Sequence, residues 1–173
     1  IAGLVKGASK GEGLGNKFLS HIREVDAIVE VVRCFDNAEI THVEGNTDPI
    51  RDIEIINAEL ILSDLEIVEN RIGKIEKKAE TTKDKLAVLE LSALRKSKDA
   101  LLNNKSLRDV DYTDDEYELI RSFNLITLKK IIYVANVNEE DAAAGTNSYT
   151  EKVKKYAKKE GSQVVVMCAK LES

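Results

Sequence analysis

The feature that most constrains the fold is a pair of apolar patterns with heptad spacing, separated by a few polar residues. The two patterns comprise Ile61, Leu65, Val68, Ile72, Ile75 and Ala79, and then Ala87, Leu91, Leu94, Lys98 and Leu101. Such spacing is typical of coiled-coil helices. The break at residues 81–84 is so short that two helices joined by it must run antiparallel. The sequence therefore predicts a long helical hairpin.

The first helix of this hairpin has a clear start, because Asp48 can cap it and Pro49 suits the first helical position. From Pro49 to Glu80 it would span ~48 Å at 1.5 Å per residue. Two S/T-x-x-E capping boxes, Thr113 with Glu116 and Ser148 with Glu151, predict two further helices. Gly161 is expected to end the second of them.

Three apolar, β-branched runs predict strands: AIVEVVRCF at 27–35, LKKIIYVANV at 128–137 and QVVVMCAK at 163–170. Apart from the hairpin, strands and helices alternate along the chain. Near-continuous apolar strands in that order favour an α/β fold with a parallel sheet flanked by helices. We therefore divide the chain into a partial core at 1–48, a helical insertion at 49–128 and the rest of the core at 129–173.

Charge and cysteine usage exclude several classes of protein. The net charge of −5, from 26 basic and 31 acidic residues, gives no overall attraction for DNA or an anionic membrane. No apolar run approaches the ~18 residues that span a bilayer. Cys34 and Cys168 match no metal-binding spacing, which indicates reduced thiols and a cytoplasmic location. The chain opens at Ile1 without a methionine, so we interpret it as a fragment, and we expect a monomer.

Two segments are candidates for binding. Glycine-rich residues 7–15 match neither the Walker pattern G-x-x-x-x-G-K-[ST] nor the dinucleotide fingerprint, so on their own they indicate a flexible connection. The tetrad Asn136-Val137-Asn138-Glu139 directly follows a predicted parallel strand, where α/β sheets bind ligands. An Asn-x-x-Glu tetrad alone is more often a simple turn.

Longer strings carry a family resemblance. Residues 1–16, IAGLVKGASKGEGLGN, closely resemble the third G-motif and switch loop of Obg-related P-loop NTPases. FLSHIREVDAIVEVVRCFDN, ITHVEGNTDPIRDIEIINAELILSDLE, SFNLITLKKIIYVANV and CAKLES resemble, in the same order, the Obg-like ATPase family, also called YchF. The resemblance covers residues 1–173. It implies a P-loop NTPase core, or G domain, with a mainly parallel sheet, interrupted by the hairpin and followed by a TGS domain outside this chain.

The resemblance also implies roles near the phosphates. The backbone N–H of Gly3 would meet the γ-phosphate, and His42 would orient the attacking water, because Leu4 stands where many GTPases keep a glutamine. The alternative for His42 is a solvated loop histidine. The Asp that helps hold Mg²⁺ would precede Ile1, so we expect Mg²⁺ to bind with ATP and no metal ligand within this chain.

For the nucleotide base, the resemblance places the tetrad where GTPases carry N-K-x-D, whose Asp accepts hydrogen bonds from two N–H groups of guanine. Asn136 would hold the loop and contact the base, the backbone of Val137 would lie against adenine, and Glu139 would replace the guanine-reading Asp. Cys168, Ala169 and Lys170 match the fifth G-motif, whose N–H groups approach the base. A small buried core residue is an equally good interpretation of Cys168.

The implied function is a nucleotide-binding hydrolase that prefers ATP to GTP and associates with ribosomes. The alternatives are a GTP-binding protein of the Obg type or, for this truncated chain, an interaction module without catalysis. Because the Walker lysine is absent from the sequence, we expect no activity from the chain alone. Lysines near the hairpin tip would contact rRNA phosphates or remain simply solvated: Lys74, Lys77, Lys78, Lys83 and Lys85.

Overall fold

The computed structural model describes Leu19 and residues 22–37 and 46–169. Their contacts form two compact units. The sheet unit contains 27–37, 46–56 and 130–169, and the helical unit contains Leu19, 22–26 and 57–129. Within the described residues, no helix is both long and apolar enough to cross a membrane.

The described helices and strands follow the predicted order, with some additions. The helices are α1 (Pro49–Thr82), α2 (Lys85–Leu102), α3 (Asp114–Arg121), α4 (Glu139–Ala144) and α5 (Ser148–Glu160), with 3₁₀ turns at Leu107–Asp109 and Ile126–Leu128. The strands are β1 (Ala27–Arg33), β2 (Lys130–Asn136) and β3 (Gln163–Met167). The helical spacing of Phe18, Leu19 and Ile22 in the sequence predicts one further short helix, which lies mostly outside the described residues.

The three strands form one parallel sheet in the order β1-β2-β3, which confirms the predicted α/β fold class. On one face, Tyr133 makes an edge-to-face ring contact with Tyr156 of α5 at 6.2 Å between centroids, and its hydroxyl donates to Glu160 at 2.7 Å. On the other face, Val31 and Val165 flank Val134 in register and are about half exposed, at 50% and 48%. Helix α5 therefore packs on the Tyr133 face.

The hairpin is formed by residues 57–82 of α1 and by α2, which are joined by only Lys83 and Asp84. Lys83 adopts the left-handed region with φ 51°, and the Asp84 carboxylate caps α2 by accepting from Leu86 N at 3.0 Å. Four ion pairs connect the helices: Arg71 with Glu90, Arg95 with both Glu76 and Glu80, and Lys98 with Glu69. The two helices run antiparallel, as predicted.

The buried face of the hairpin follows the heptad pattern closely. Its core contains Ile61, Val68, Ile75, Ala79, Ala87, Leu91, Leu94 and Leu101, with Leu65 and Ile72 packed against them. Position 98 is the exception, because Ser97 is fully buried while Lys98 pairs with Glu69 at 3.6 Å. Ser97 enters the core because its hydroxyl bonds both Ala93 O and Tyr112 Oη.

A buried carboxylate, that of Asp64, links several segments within the helical unit. Asp64 has no exposed surface, and its oxygens accept from Arg23 Nη1 at 2.9 Å, Ile126 N at 3.0 Å and Thr127 N at 2.7 Å. A buried charge is tolerated only when its hydrogen-bonding capacity is satisfied, and three donors achieve this here. Asp64 therefore ties α1 to the 3₁₀ turn at Ile126–Leu128.

Helix caps show one prediction that is right and one that is wrong. The Thr113–Glu116 box forms as expected at the start of α3. The cap of α5, however, is Asn147 with Thr150, and Ser148 is the first helical residue. The reason is that Asn147 has extended backbone (φ −153°) and caps as well as serine does, while Glu151 is bonded by the Thr146 hydroxyl instead.

Candidate functional site

The carboxyl ends of all three strands lie level at one edge of the sheet. Arg33, Asn136 and Met167 are partners in register. The ladder continues one step further, with Cys34 N donating to Asn136 O at 2.8 Å and Val137 N donating to Met167 O at 2.9 Å. The three loops that follow therefore leave the sheet side by side, at the edge where α/β folds bind ligands.

These loops surround a cleft of about 670 Å³, a volume within the usual range for small-molecule sites. Its lining residues come from three segments, Phe35–Asn37, Asn136–Glu140 and Cys168–Ala169, all in the sheet unit. The sequence predicted the second and third segments, and the structure brings them together on one cleft with the first.

Asn136 joins two walls of this cleft. Its Oδ1 accepts from Ala169 N at 3.1 Å, so the tetrad and the loop after β3 are bonded directly. Because Ala169 N donates to Asn136, this N–H is already engaged within the protein. Val137 is only 1% exposed and its N–H is used in the sheet, so it contributes mainly shape. Cys168 is buried as well, which fits a small core residue at the cleft wall.

The tetrad runs directly into a short helix that the sequence analysis missed. Asn138 Oδ1 accepts from Asp141 N at 2.9 Å and caps α4, whose first turn contains Glu139, Glu140 and Asp141. Carboxylates are favoured at a helix N-terminus, since they face the positive end of the helix dipole. Glu139 therefore starts a helix, with its side chain exposed at the cleft.

The opposite wall is formed by the loop after β1. Thr47 Oγ1 donates to Phe35 O at 3.3 Å, and Tyr149 Oη donates to Asp36 Oδ1 at 2.8 Å. This bond to a carboxylate raises the pKa of Tyr149 above its ordinary value. Burial, and then the charge of Asp52, raise the pKa of Cys34 to about 12, so its thiol stays protonated and is not a nucleophile.

The cleft presents groups suited to a flat, partly apolar heterocycle. It offers an aromatic ring from Phe35, amides from Asn37 and Asn136, and carboxylates from Asp36 and Glu139. Among residues 22–37 and 46–169, no group of three or more His, Cys, Asp or Glu could hold a metal ion.

Three predicted site residues, Gly3, His42 and Lys170, lie outside the described residues. Phe35 is a cleft residue that the sequence analysis missed, and for Asn138, which belongs to the predicted tetrad, it missed the role as the cap of α4. An aromatic residue directly after an apolar strand could have indicated the first, and an Asn before three acidic residues the second. The predicted lysine cluster of the hairpin is exposed: Lys74, Lys77, Lys78, Lys83 and Lys85.

Relatives of known name match the chain over its whole length. The ribosome-binding ATPase YchF of Bacillus subtilis is 53% identical over 174 residues, and that of Escherichia coli O157:H7 is 50% identical over 173. Both matches cover 100% of this chain and 47% of the relative. Obg-like ATPase 1 of Oryza sativa subsp. indica is 40% identical, and the match covers 96% of this chain and 42% of that relative. The chain thus spans about half the length of the curated relatives it matches.

A solved structure agrees. The Schizosaccharomyces pombe YchF GTPase superposes with a TM-score of 0.80 at 41% identity, covering 96% of this chain and 46% of that one. No family model matches the chain. Half or more of the residues are nevertheless identical to the bacterial relatives along its whole length, and the fold is shared, so the chain belongs to the YchF family of Obg-like ATPases.

Proposed function

We propose that the protein to which this chain belongs binds and hydrolyses a nucleoside triphosphate, preferring ATP to GTP. The observation that carries the proposal is the bond between Asn136 Oδ1 and Ala169 N. It joins the two loops that the sequence analysis proposed for base recognition, at the level carboxyl edge of the sheet. The relatives' names supply the activity, since they include ATPases and a GTPase.

The preference for adenine follows from the chemistry of the tetrad. Guanine selectivity in N-K-x-D sites depends on a carboxylate that reads two N–H donors, and here that position is the first residue of α4, Glu139. Glu139 has one more methylene than Asp, which places its carboxylate further from the backbone and adds a torsion that must be fixed before it can read two N–H donors. Phe35 adds an aromatic face, and stacking on a base contributes about 1–3 kcal/mol whichever base is bound.

Titration of the full-length protein with ATP and with GTP tests the base preference directly. We expect a lower Kd for ATP. We also expect Glu139→Asp with Val137→Lys, which restores the guanine-reading pattern, to shift the ratio of the two Kd values toward GTP. Equal or tighter binding of GTP by the unmodified protein would favour the alternative, a GTP-binding protein of the Obg type.

Hydrolysis would require groups beyond the described residues. Gly3 and His42 stay our proposals for the γ-phosphate contact and for positioning the water, and Lys170 for the base loop. Mg²⁺ would enter with the triphosphate. Because the sequence contains no Walker motif, the 173-residue chain by itself should show no magnesium-dependent ATPase. Turnover by the pure chain, measured as phosphate release, would refute this.

Ribosome association is the second part of the proposal, taken from the names of the bacterial relatives. The hairpin offers five exposed lysines near its turn, and among the described residues none of them is in an ion pair. Exposed lysines that meet rRNA phosphates make binding weaken as salt rises. We propose that this lysine cluster contributes to such binding.

Charge reversal with a matched control tests this contact. Lys77→Glu with Lys78→Glu should weaken co-sedimentation with 70S ribosomes and reduce its salt dependence. The control reverses Lys158 and Lys159, which are also exposed and adjacent but belong to α5. Equal behaviour of the two double variants would remove the lysine cluster from the proposal.

A further inference from the structure

A residue behind the cleft bonds two of its walls at once. Asn147 does not line the cleft, yet its Nδ2 donates to Cys34 O at 2.7 Å and to Asp141 Oδ2 at 2.9 Å. Its Oδ1 accepts from Thr150 N at 2.8 Å as the cap of α5. The side-chain amide therefore contacts the first residue after β1, a residue of α4 and the first turn of α5 at the same time.

Only an amide can make this set of contacts. Both partners of Nδ2 are acceptors, a carbonyl and a carboxylate, and the partner of Oδ1 is a donor, which fixes the orientation of the amide. Serine, threonine or aspartate would cap α5 equally well, but none of them donates two hydrogen bonds from the side chain. The identity of residue 147 is thus set by the two walls rather than by the helix it caps.

The two partners lead directly to cleft residues. Cys34 precedes Phe35, whose ring lines one wall, and Asp141 follows Glu139 and Glu140 on the other. Asp141 is held twice, because its N–H also donates to Asn138 Oδ1. Tyr149, two residues beyond Asn147, adds its bond to Asp36 on the Phe35 wall. The start of α5 therefore sets where both walls stand relative to β2.

From this geometry we infer that Asn147 is a positioning residue for the nucleotide base: its two donated bonds fix the separation of the Phe35 wall from the Glu139–Glu140 wall. The inference rests on the proposed function. A planar base fills a slot whose width must be held to a fraction of an ångström, since apolar contacts weaken steeply with a small gap. Losing the amide lets the walls separate and weakens binding of the base, while groups at the γ-phosphate are untouched.

Asn147→Ser separates this role from capping, because serine retains the cap and loses both donated bonds. In the full-length protein we expect its Kd for ATP to rise about tenfold, with kcat changed by less than about twofold. Thr113→Ala is the control, since it removes a cap in the helical unit and lowers Tm without contacting the cleft. If Asn147→Ser binds ATP like the unmodified protein, or Thr113→Ala weakens ATP equally, the inference is wrong.

A paired exchange tests the α4 wall separately. Asn147→Asp places two carboxylates next to each other, at residues 141 and 147. It should weaken ATP binding more than Asn147→Ser does. Adding Asp141→Asn supplies an amide donor from residue 141, so the bond between residues 141 and 147 can form again and part of the ATP affinity should return. The bond to Cys34 O stays lost, so recovery should be incomplete. No recovery in the double variant would show that the bond between these two side chains does not position the wall.

Hydrogen exchange provides a readout that needs no nucleotide. Peptides covering 35–37 and 139–145 should exchange faster in Asn147→Ser than in the unmodified protein, while a peptide within α2 should not change. Unchanged exchange at both walls would overturn the inference even if the proposed function stands. If instead the unmodified protein binds neither ATP nor GTP, the proposed function fails and exchange alone decides the role of Asn147.

Discussion

The hairpin and the cleft are built by different means, although each is a pair of segments held close together. In the hairpin, one apolar stripe on each helix is buried along its length, and ion pairs such as Arg71–Glu90 lie beside it. In the cleft, single amides hold the walls: Asn136 bonds Ala169 N, and Asn147 bonds Cys34 O and Asp141. One region depends on buried area and the other on individual hydrogen bonds.

This difference predicts how the two regions respond to mutation. Buried area is spread over many side chains, so its loss appears as a loss of stability. A single hydrogen bond at an exposed edge contributes only about 0.5–1.5 kcal/mol to folding, yet it determines where a ligand-binding wall lies. Substitutions in the hairpin should therefore change Tm more than affinity, and substitutions at the cleft should do the reverse.

The largest effect is expected at Asp64. Asp64→Ala leaves the Arg23 guanidinium and the N–H groups of Ile126 and Thr127 without their buried acceptor. Breaking a buried charge pair typically costs about 3–5 kcal/mol. Chemical denaturation should show a loss of this size, and ATP affinity at a temperature where the protein is folded should not change. A loss below about 1 kcal/mol would show that water replaces the carboxylate at little cost.

The next effect separates buried from exposed leucines on one helix. Leu94 has no exposed surface, whereas Leu86 is 67% exposed. Leu94→Ala should lower the free energy of unfolding by about 2–5 kcal/mol, and Leu86→Ala should change it by less than about 0.5 kcal/mol. Equal losses for the two variants, measured by urea denaturation, would mean that α2 is not packed through its heptad face.

At the cleft we expect the opposite balance for Asn136→Ala. Its bond to Ala169 N is lost, which should lower stability by only about 1 kcal/mol. The Kd values for ATP and GTP should both rise, because the loop after β3 is released whichever base is bound. A variant that loses selectivity but not affinity would show that Asn136 reads the base and does not mainly hold the loop.

The smallest effect is a dependence of stability on pH. The bond from Thr113 N, followed by the contacts with Lys96, lowers the pKa of Glu116 below the ordinary 4.5. A lowered pKa in the folded state stabilises the protein above pH 4.5, and this contribution is lost as pH falls through the folded-state value. Glu116→Gln keeps the capping box without titrating, so its stability should fall less between pH 5 and about pH 3.

Periodicity allowed the hairpin and the sheet to be predicted, because buried area repeats at the helical or strand period and leaves a pattern in the residues. Ile61 to Ala79 and the strand around Tyr133 are found that way. The cap of α5 was misplaced by one residue, since Asn147 and Ser148 cap equally well and only contacts with Cys34 and Asp141 decide between them.

The site was predictable in part. The tetrad and Cys168-Ala169 were identified from their position after strands and from resemblance, and the structure places both on the cleft. Phe35 and the bond between Asn136 and Ala169 were not foreseen, because they depend on the order of strands in space. A sequence pattern does not specify which loops become neighbours when strands far apart in the chain pair in register.

The alternation of side chains along β2 limits which insertions and deletions this strand can accept. Side chains alternate between the two faces of β2, so Tyr133 packs under α5 while Asn136, three residues later, points from the opposite face. Deleting one residue between them would turn Asn136 to the Tyr133 side or expose the tyrosine ring. Insertions and deletions inside this strand should therefore be found among functional homologues only in even numbers.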